Sequence, residues 1–208
     1  MNNCVKMNVN ILYSLNRKNV EKKVKGVDFV RKVEVCSYHK IWLRQFADEA
    51  GKLNRIFQNE IIDIHHIGST AVPGLRAKPV IDMMPVVKNI VHVDYYNKKM
   101  QDIGYEAKGE NGISERRFFQ KGGDKRTHHV HVFQEESFHI VRHLAFRDYL
   151  REHTDEKVRY GNLKENLAKQ FPNNTQSYIN GKESLVKEIE AKALDWYEKK
   201  SRRLPGGA

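Results

Sequence analysis

Gly68-Ser69 and Asp82 stand thirteen positions apart, and these types at that spacing suit phosphate chemistry. Glycine lets the backbone approach a ligand closely. The Ser69 hydroxyl, Thr70 and the N–H groups that follow can hold phosphate oxygens, as at a helix N-terminus. Pro73 has its φ preset for the first turn of such a helix. A carboxylate at Asp82 can hold a divalent cation that bridges those phosphates. The plain alternative is a tight turn followed by a surface aspartate.

The run His128-His129-Val130-His131 is the second feature. On a strand, His129 and His131 share one face and His128 takes the other. With Asp82 they would form a mixed nitrogen–oxygen metal site. Such donors suit Zn²⁺, Mn²⁺ or Fe²⁺ better than Mg²⁺. The structural alternative is that these imidazoles only hydrogen-bond the chain or meet anions directly. His66, beside the Gly-Ser turn, is a further candidate, and His65 reads as structural. Arg116, Arg117, Lys121, Lys125 and Arg126 cluster just before the histidines. Guanidinium forks suit phosphate oxygens. Arg117 and Lys121 fall on one strand face and Arg116 with Phe118 on the other. One of these faces looks into the cleft, and Arg117 with Lys121 are the expected stabilisers of phosphoryl charge, alongside Arg126 as a binding residue. Arg142 and Arg147 can add to them.

The elements that must position these groups follow from periodicity. Val33-Glu34-Val35 alternates as a short strand would. Ile41, Trp42, Phe46, Ala50, Leu53 and Phe57 recur at three and four, which predicts a helix over 38–57. Strands are expected at 61–67 and within 78–87, the second apolar enough to be covered on both faces. A helix over 91–103 ends at Gly104. Strands at 116–121 and 128–133 flank a glycine-containing loop. Everything after Ser137 reads as helix, interrupted at Pro172, with Asn173-Asn174-Thr175 as a cap and a last helix from about 182 to 199. Leu144, Leu185, Ile189, Trp42 and Trp196 belong to the expected core. The fold class is α+β, a mixed sheet with flanking helices and a C-terminal helical layer. The domain organisation is an N-terminal arm over 1–32, one body over 33–200 and a tail over 201–208.

Composition bounds the rest. The 208 residues carry 37 Lys+Arg against 26 Asp+Glu, a net charge of +11, which favours anionic partners. No apolar run approaches the roughly 18–20 residues of a membrane span, and no signal peptide is legible at the N-terminus. Two cysteines make neither a disulfide framework nor a metal motif, so a reducing, cytoplasmic setting is expected. Charge alone would admit nucleic acid as a partner, but no RNA-binding motif accompanies it. Oligomeric state is not legible.

The string from His66 to Asp82 (HIGSTAVPGLRAKPVID) resembles the GrpB family of the nucleotidyltransferase superfamily. Glu110 to Ile113, Arg116 to Phe119, Lys121-Gly122-Gly123, Arg126 to Phe133 and Arg142 to Leu150 follow in the family's order. The resemblance covers about Val33 to Tyr197. It implies the nucleotidyltransferase-type mixed sheet, with Gly68, Ser69 and Asp82 at one end. It implies a nucleoside triphosphate or related phosphate ligand, with a divalent ion (Mg²⁺, Mn²⁺ or Zn²⁺) as cofactor. It does not imply a reaction, since the family has no agreed substrate. Transfer of a nucleotidyl group to an acceptor is one reading; a non-catalytic nucleotide- or anion-binding module is the other. This chain departs from the superfamily pattern in two ways. Met84 stands where a second carboxylate is wanted, and the strand 128–133 carries no third.

Overall fold

The computed structural model describes residues 32–203. The arm expected over 1–32 falls, but for Lys32, outside the described residues, as does the tail beyond Arg203. The elements run in order α1 (Ile41–Phe57), β1 (Ile61–Ile67), β2 (Ile81–Val87), α2 (Asn97–Asp102), β3 (Tyr105–Ala107), β4 (Arg117–Lys121), β5 (His128–Gln134), α3 (Phe138–Glu152), α4 (Thr154–Gln170) and α5 (Thr175–Arg203). The architecture is the expected α+β one. The five strands lie in the order β1-β2-β5-β4-β3. Only β2 and β5 pair in parallel.

Alternation along the strands divides the core into two layers. Ile81 and Met83 of β2, with Val130 and Val132 of β5 and Phe119 of β4, pack against Trp42, Leu53 and Phe57 of α1. On the opposite face Ile67, Met84 and Phe133 meet Ile140 and Leu144 of α3. The continuous apolar run of β2 is thereby accounted for, since helices cover both its sides. A third cluster joins Leu185, Ile189 and Ala193 of α5 to Val72, Leu75, Ala145 and Leu150. Among the described residues no helix is long and apolar enough to cross a membrane.

Several boundaries move. Val33-Glu34-Val35 forms no strand; nearby only Cys36 makes an isolated bridge, with Ala77. The segment expected as a helix over 91–103 is a 3-10 stretch over Val91–Tyr96 followed by the short α2. Gly104 at φ +89 reverses the chain into β3, a three-residue edge strand too short to show periodicity. The last helix begins at Thr175, where the Asn174 side chain accepts from the Ser177 N–H at 2.9 Å, and continues to Arg203. Trp42 is buried as expected. Trp196 is only half-buried, edge-on between Tyr149 and His153 at the rim of α5.

Candidate functional site

β1 ends at Ile67, which lies opposite Asp82 in the antiparallel register with β2. Gly68 follows at φ +69, ψ −169. A Cβ there would sit 2.5 Å from Asp82 Oδ2, so the turn can lie against the carboxylate only because the residue is glycine. Ser69–Ala71 makes one 3-10 turn and no α-helix follows. The helix terminus expected at Pro73 is therefore absent among the described residues. Ser69 Oγ accepts instead from Lys164 Nζ at 2.9 Å. Thr70 is buried. Its hydroxyl donates to the Val80 carbonyl at 3.4 Å and meets His66 Nε2 at 3.0 Å.

Parallel pairing sets Asp82 beside His129. His129 Nδ1 lies 2.9 Å from Asp82 Oδ1, and His131 Nε2 lies 3.8 Å from the same oxygen. One ligand atom from each of the three residues falls within 4.8 Å of the others. Burial pushes the Asp82 carboxyl up, but hydrogen bonds from His129 and His131 outweigh it and hold the group well below the usual carboxylate range. Burial pushes the His131 imidazole down, so its neutral form is favoured. The donor set suits one ion and not two. Met84, on the face of Asp82, is fully buried with Ile67 and Phe133, and β5 offers imidazole where an acid would be needed.

The basic hairpin is disposed differently from expectation. Arg117 pairs with Val132 and Lys121 with His128, so both lie on the α1 face, away from Asp82. Arg117 forks onto Asp94 at 2.8 and 2.9 Å. Lys121 donates to the buried Glu49 at 2.6 Å. Neither can stabilise charge at Asp82, because strand parity puts the sheet between them. Arg116, one residue before β4, takes the cleft face instead. It is 5% exposed and lies over the Phe118 ring. Its Nε and Nη2 donate to the Glu110 and Asn111 carbonyls, and its Nη1 lies 3.2 Å from His131 Nδ1. Arg126 stays with its hairpin, on the Gly123 carbonyl and the Gln120 side chain. His66 lies on the α1 face, stacked on Phe46 at 4.7 Å, and burial pushes its pKa down to about 4. Arg142 pairs with Glu190, while Arg147 engages Asp148 and the His66 carbonyl.

A cleft of about 290 Å³ opens beside Asp82 and His129, with Ser69 and Thr70 also in its lining. Its basic wall comes from Lys78, Lys164 of α4 and Lys182 of α5. Lys164 is 3% exposed and lies 4.3 Å from the Tyr160 ring centroid. Burial first, then the neighbouring Lys182, holds its ammonium well below the ordinary lysine range. Sequence reasoning placed this stretch as helix without assigning it to the site, and missed the residue. A signal existed: Tyr160, Gly161, Lys164, Leu167 and Ala168 form one helical stripe, all buried, with the lysine inside it.

The chain is similar to several known proteins along most of its described length. The chain is 47% identical over 178 residues to the UPF0157 protein YqkA of Bacillus subtilis, covering 86% of this chain and 51% of that one, so it spans about half of that relative's length. The glutamate-rich protein GrpB of Alkalihalophilus pseudofirmus is 33% identical over 162 residues, 76% of this chain and 93% of that one. The crystal structure of the conserved protein GrpB from Enterococcus faecalis superposes with a TM-score of 0.77 at 44% identity, covering 79% of this chain and 99% of that one. The family model described as GrpB protein matches residues 32–192, nearly the whole described body, and the chain belongs to the GrpB family.

Proposed function

We propose that the cleft binds a phosphate-bearing small molecule, a nucleoside triphosphate or a relative of it, with one divalent ion at Asp82. The observation that carries this reading is the juxtaposition of Lys164 and Ser69 with Asp82 and His129 on one cleft, with His131 behind them close to the same carboxylate. Lys78, Lys164 and Lys182 supply charge for phosphate oxygens in a partly desolvated setting, where each contact counts for more than in water. Binding at such a cleft would also return charge compensation to the buried Lys164. A bound ion would neutralise phosphoryl oxygens; imidazole in the donor set favours Mn²⁺ or Zn²⁺ over Mg²⁺.

In the transfer reading, this chain's own residues hold the ligand and its charge while an acceptor attacks. Lys164 and Ser69 bind the phosphate chain, Asp82 and the imidazoles orient its reacting end, and preorganised N–H donors favour developing negative charge. Binding without transfer is the second reading. The burial of Met84 favours it, because a two-ion mechanism has no second carboxylate here.

Calorimetric titration of a nucleoside triphosphate, with and without Mn²⁺, tests the binding step. Lys164→Met and Asp82→Asn should each weaken binding, the latter only when Mn²⁺ is present. Attraction should fall with added salt, as charges are screened over about 8–10 Å near physiological ionic strength. Binding that ignores both substitutions would overturn the proposal. Pyrophosphate release with a panel of acceptors then separates transfer from simple binding.

A further inference from the structure

The two imidazoles beside Asp82 are not equivalent, and the cause is Arg116. A guanidinium has only donors, so the nitrogen it faces must accept. Arg116 Nη1 lies 3.2 Å from His131 Nδ1. His131 in its neutral form therefore carries its proton on Nε2, the nitrogen that looks toward Asp82 Oδ1 at 3.8 Å. His129 is the mirror case. Its Nδ1 faces Asp82 Oδ1 at 2.9 Å, and an ionised carboxylate only accepts, so the proton is on Nδ1 and the lone pair on Nε2.

Ligation by His131 through Nε2 would require its proton to move to Nδ1. There it would point at the Arg116 N–H, two donors face to face. Metal-bound imidazoles ordinarily give their second N–H to a carboxylate or carbonyl, the opposite arrangement. Arg116 cannot easily yield, because its Nε and Nη2 donate to the Glu110 and Asn111 carbonyls and its guanidinium lies over the Phe118 ring. It is also nearly inaccessible to water.

We infer that Arg116 is a positioning residue that makes His131 an N–H donor towards Asp82 and any phosphoryl oxygen brought beside that carboxylate, and keeps it from serving as a third metal ligand. This rests on the proposed ion at Asp82 and narrows its protein ligands to Asp82 and His129. The remaining coordination is then left to the phosphate ligand and water, which ties retention of the ion to the presence of that ligand.

The test begins with the unsubstituted, metal-free protein. Nitrogen-15 chemical shifts of the histidine rings above neutral pH read each tautomer directly. His131 should show a protonated Nε2 and a bare Nδ1; the reverse pattern overturns the inference. Zn²⁺ titration of Arg116→Met and Arg116→Lys follows. Removing the donor frees His131, so Arg116→Met should bind Zn²⁺ more tightly by about tenfold, the low end of the effect of altering a ligand's partner. Arg116→Lys, which keeps a donor, should resemble the parent. Unchanged or weaker binding by a folded Arg116→Met overturns the inference. If that variant does not fold, the parent spectrum decides alone. If no form binds Zn²⁺ while His131 keeps its proton on Nε2, the tautomer assignment stands and the ion of the proposed function falls.

Discussion

Replacing Gly68 with alanine puts a methyl group where the Asp82 carboxylate now lies. Two costs combine. The backbone at φ +69, ψ −169 is in a region that only glycine occupies readily, and a side chain there costs about 1–3 kcal/mol. The new Cβ would also stand 2.5 Å from Asp82 Oδ2, 3.0 Å from its Cβ and 3.1 Å from its Cγ. The oxygen alone could swing aside, but Oδ1 is held by His129 and the Cβ belongs to β2, paired on both sides. Overpacking of this kind adds about 1–3 kcal/mol. The sum is about 2–6 kcal/mol, or a fall of roughly 1–3 M in the urea midpoint at a slope of about 2 kcal/mol/M. Gly74→Ala is the control. Its φ is +80, yet nothing lies within 4 Å of the added Cβ, so it incurs backbone strain only, about 1–2 kcal/mol. Urea denaturation of both variants, followed by Mn²⁺ titration, separates strain from contact. Equal midpoints for the two, with Mn²⁺ affinity unchanged in Gly68→Ala, would refute the claim that this glycine exists to admit the carboxylate.

The α1 face and the rim of α5 yield further expectations. Arg117→Ala should leave nucleotide affinity unchanged in calorimetry and cost at most about 1 kcal/mol, since its partner Asp94 is exposed. Lys121→Ala should cost more, about 3 kcal/mol by denaturation, because it removes one of the two lysines that pair with the buried Glu49. His66 has a folded-state pKa of about 4, below its unfolded value near 6.5, so the unfolded chain takes up the proton first. Stability should therefore fall as pH drops from about 6.5 towards 4, by about 3 kcal/mol from this group, and His66→Gln should flatten that part of the profile. Trp196→Ala should cost only about 1–2 kcal/mol, less than a fully buried tryptophan, because the ring is half-exposed at the rim of α5.

Local chemistry along the chain was enough to place the turn, the acid and the histidines. Glycine, serine and aspartate at their spacing, and histidines at alternate positions, state their geometry through strand periodicity alone. The amphipathic spacing of α1 and the apolar run of β2 did the same for the layers around them. The face on which the hairpin arginines fall was a different matter. Parity made Arg116 and Arg117 alternatives, but the pairing of Phe118 with His131 and of Lys121 with His128 is a fact of register between strands, and register is set by which side chains the core accepts. Lys164 depended on tertiary structure altogether. Its distance of 95 residues from Ser69 is closed only when α4 docks across the end of the sheet, and burial then changes a surface-type residue into part of the cleft. The protonation pattern of His131 likewise belongs to no local sequence, because the guanidinium that dictates it arrives from a neighbouring strand's approach. Periodicity acts within one element; charge, burial and proton position are properties of what several elements bring to the same place.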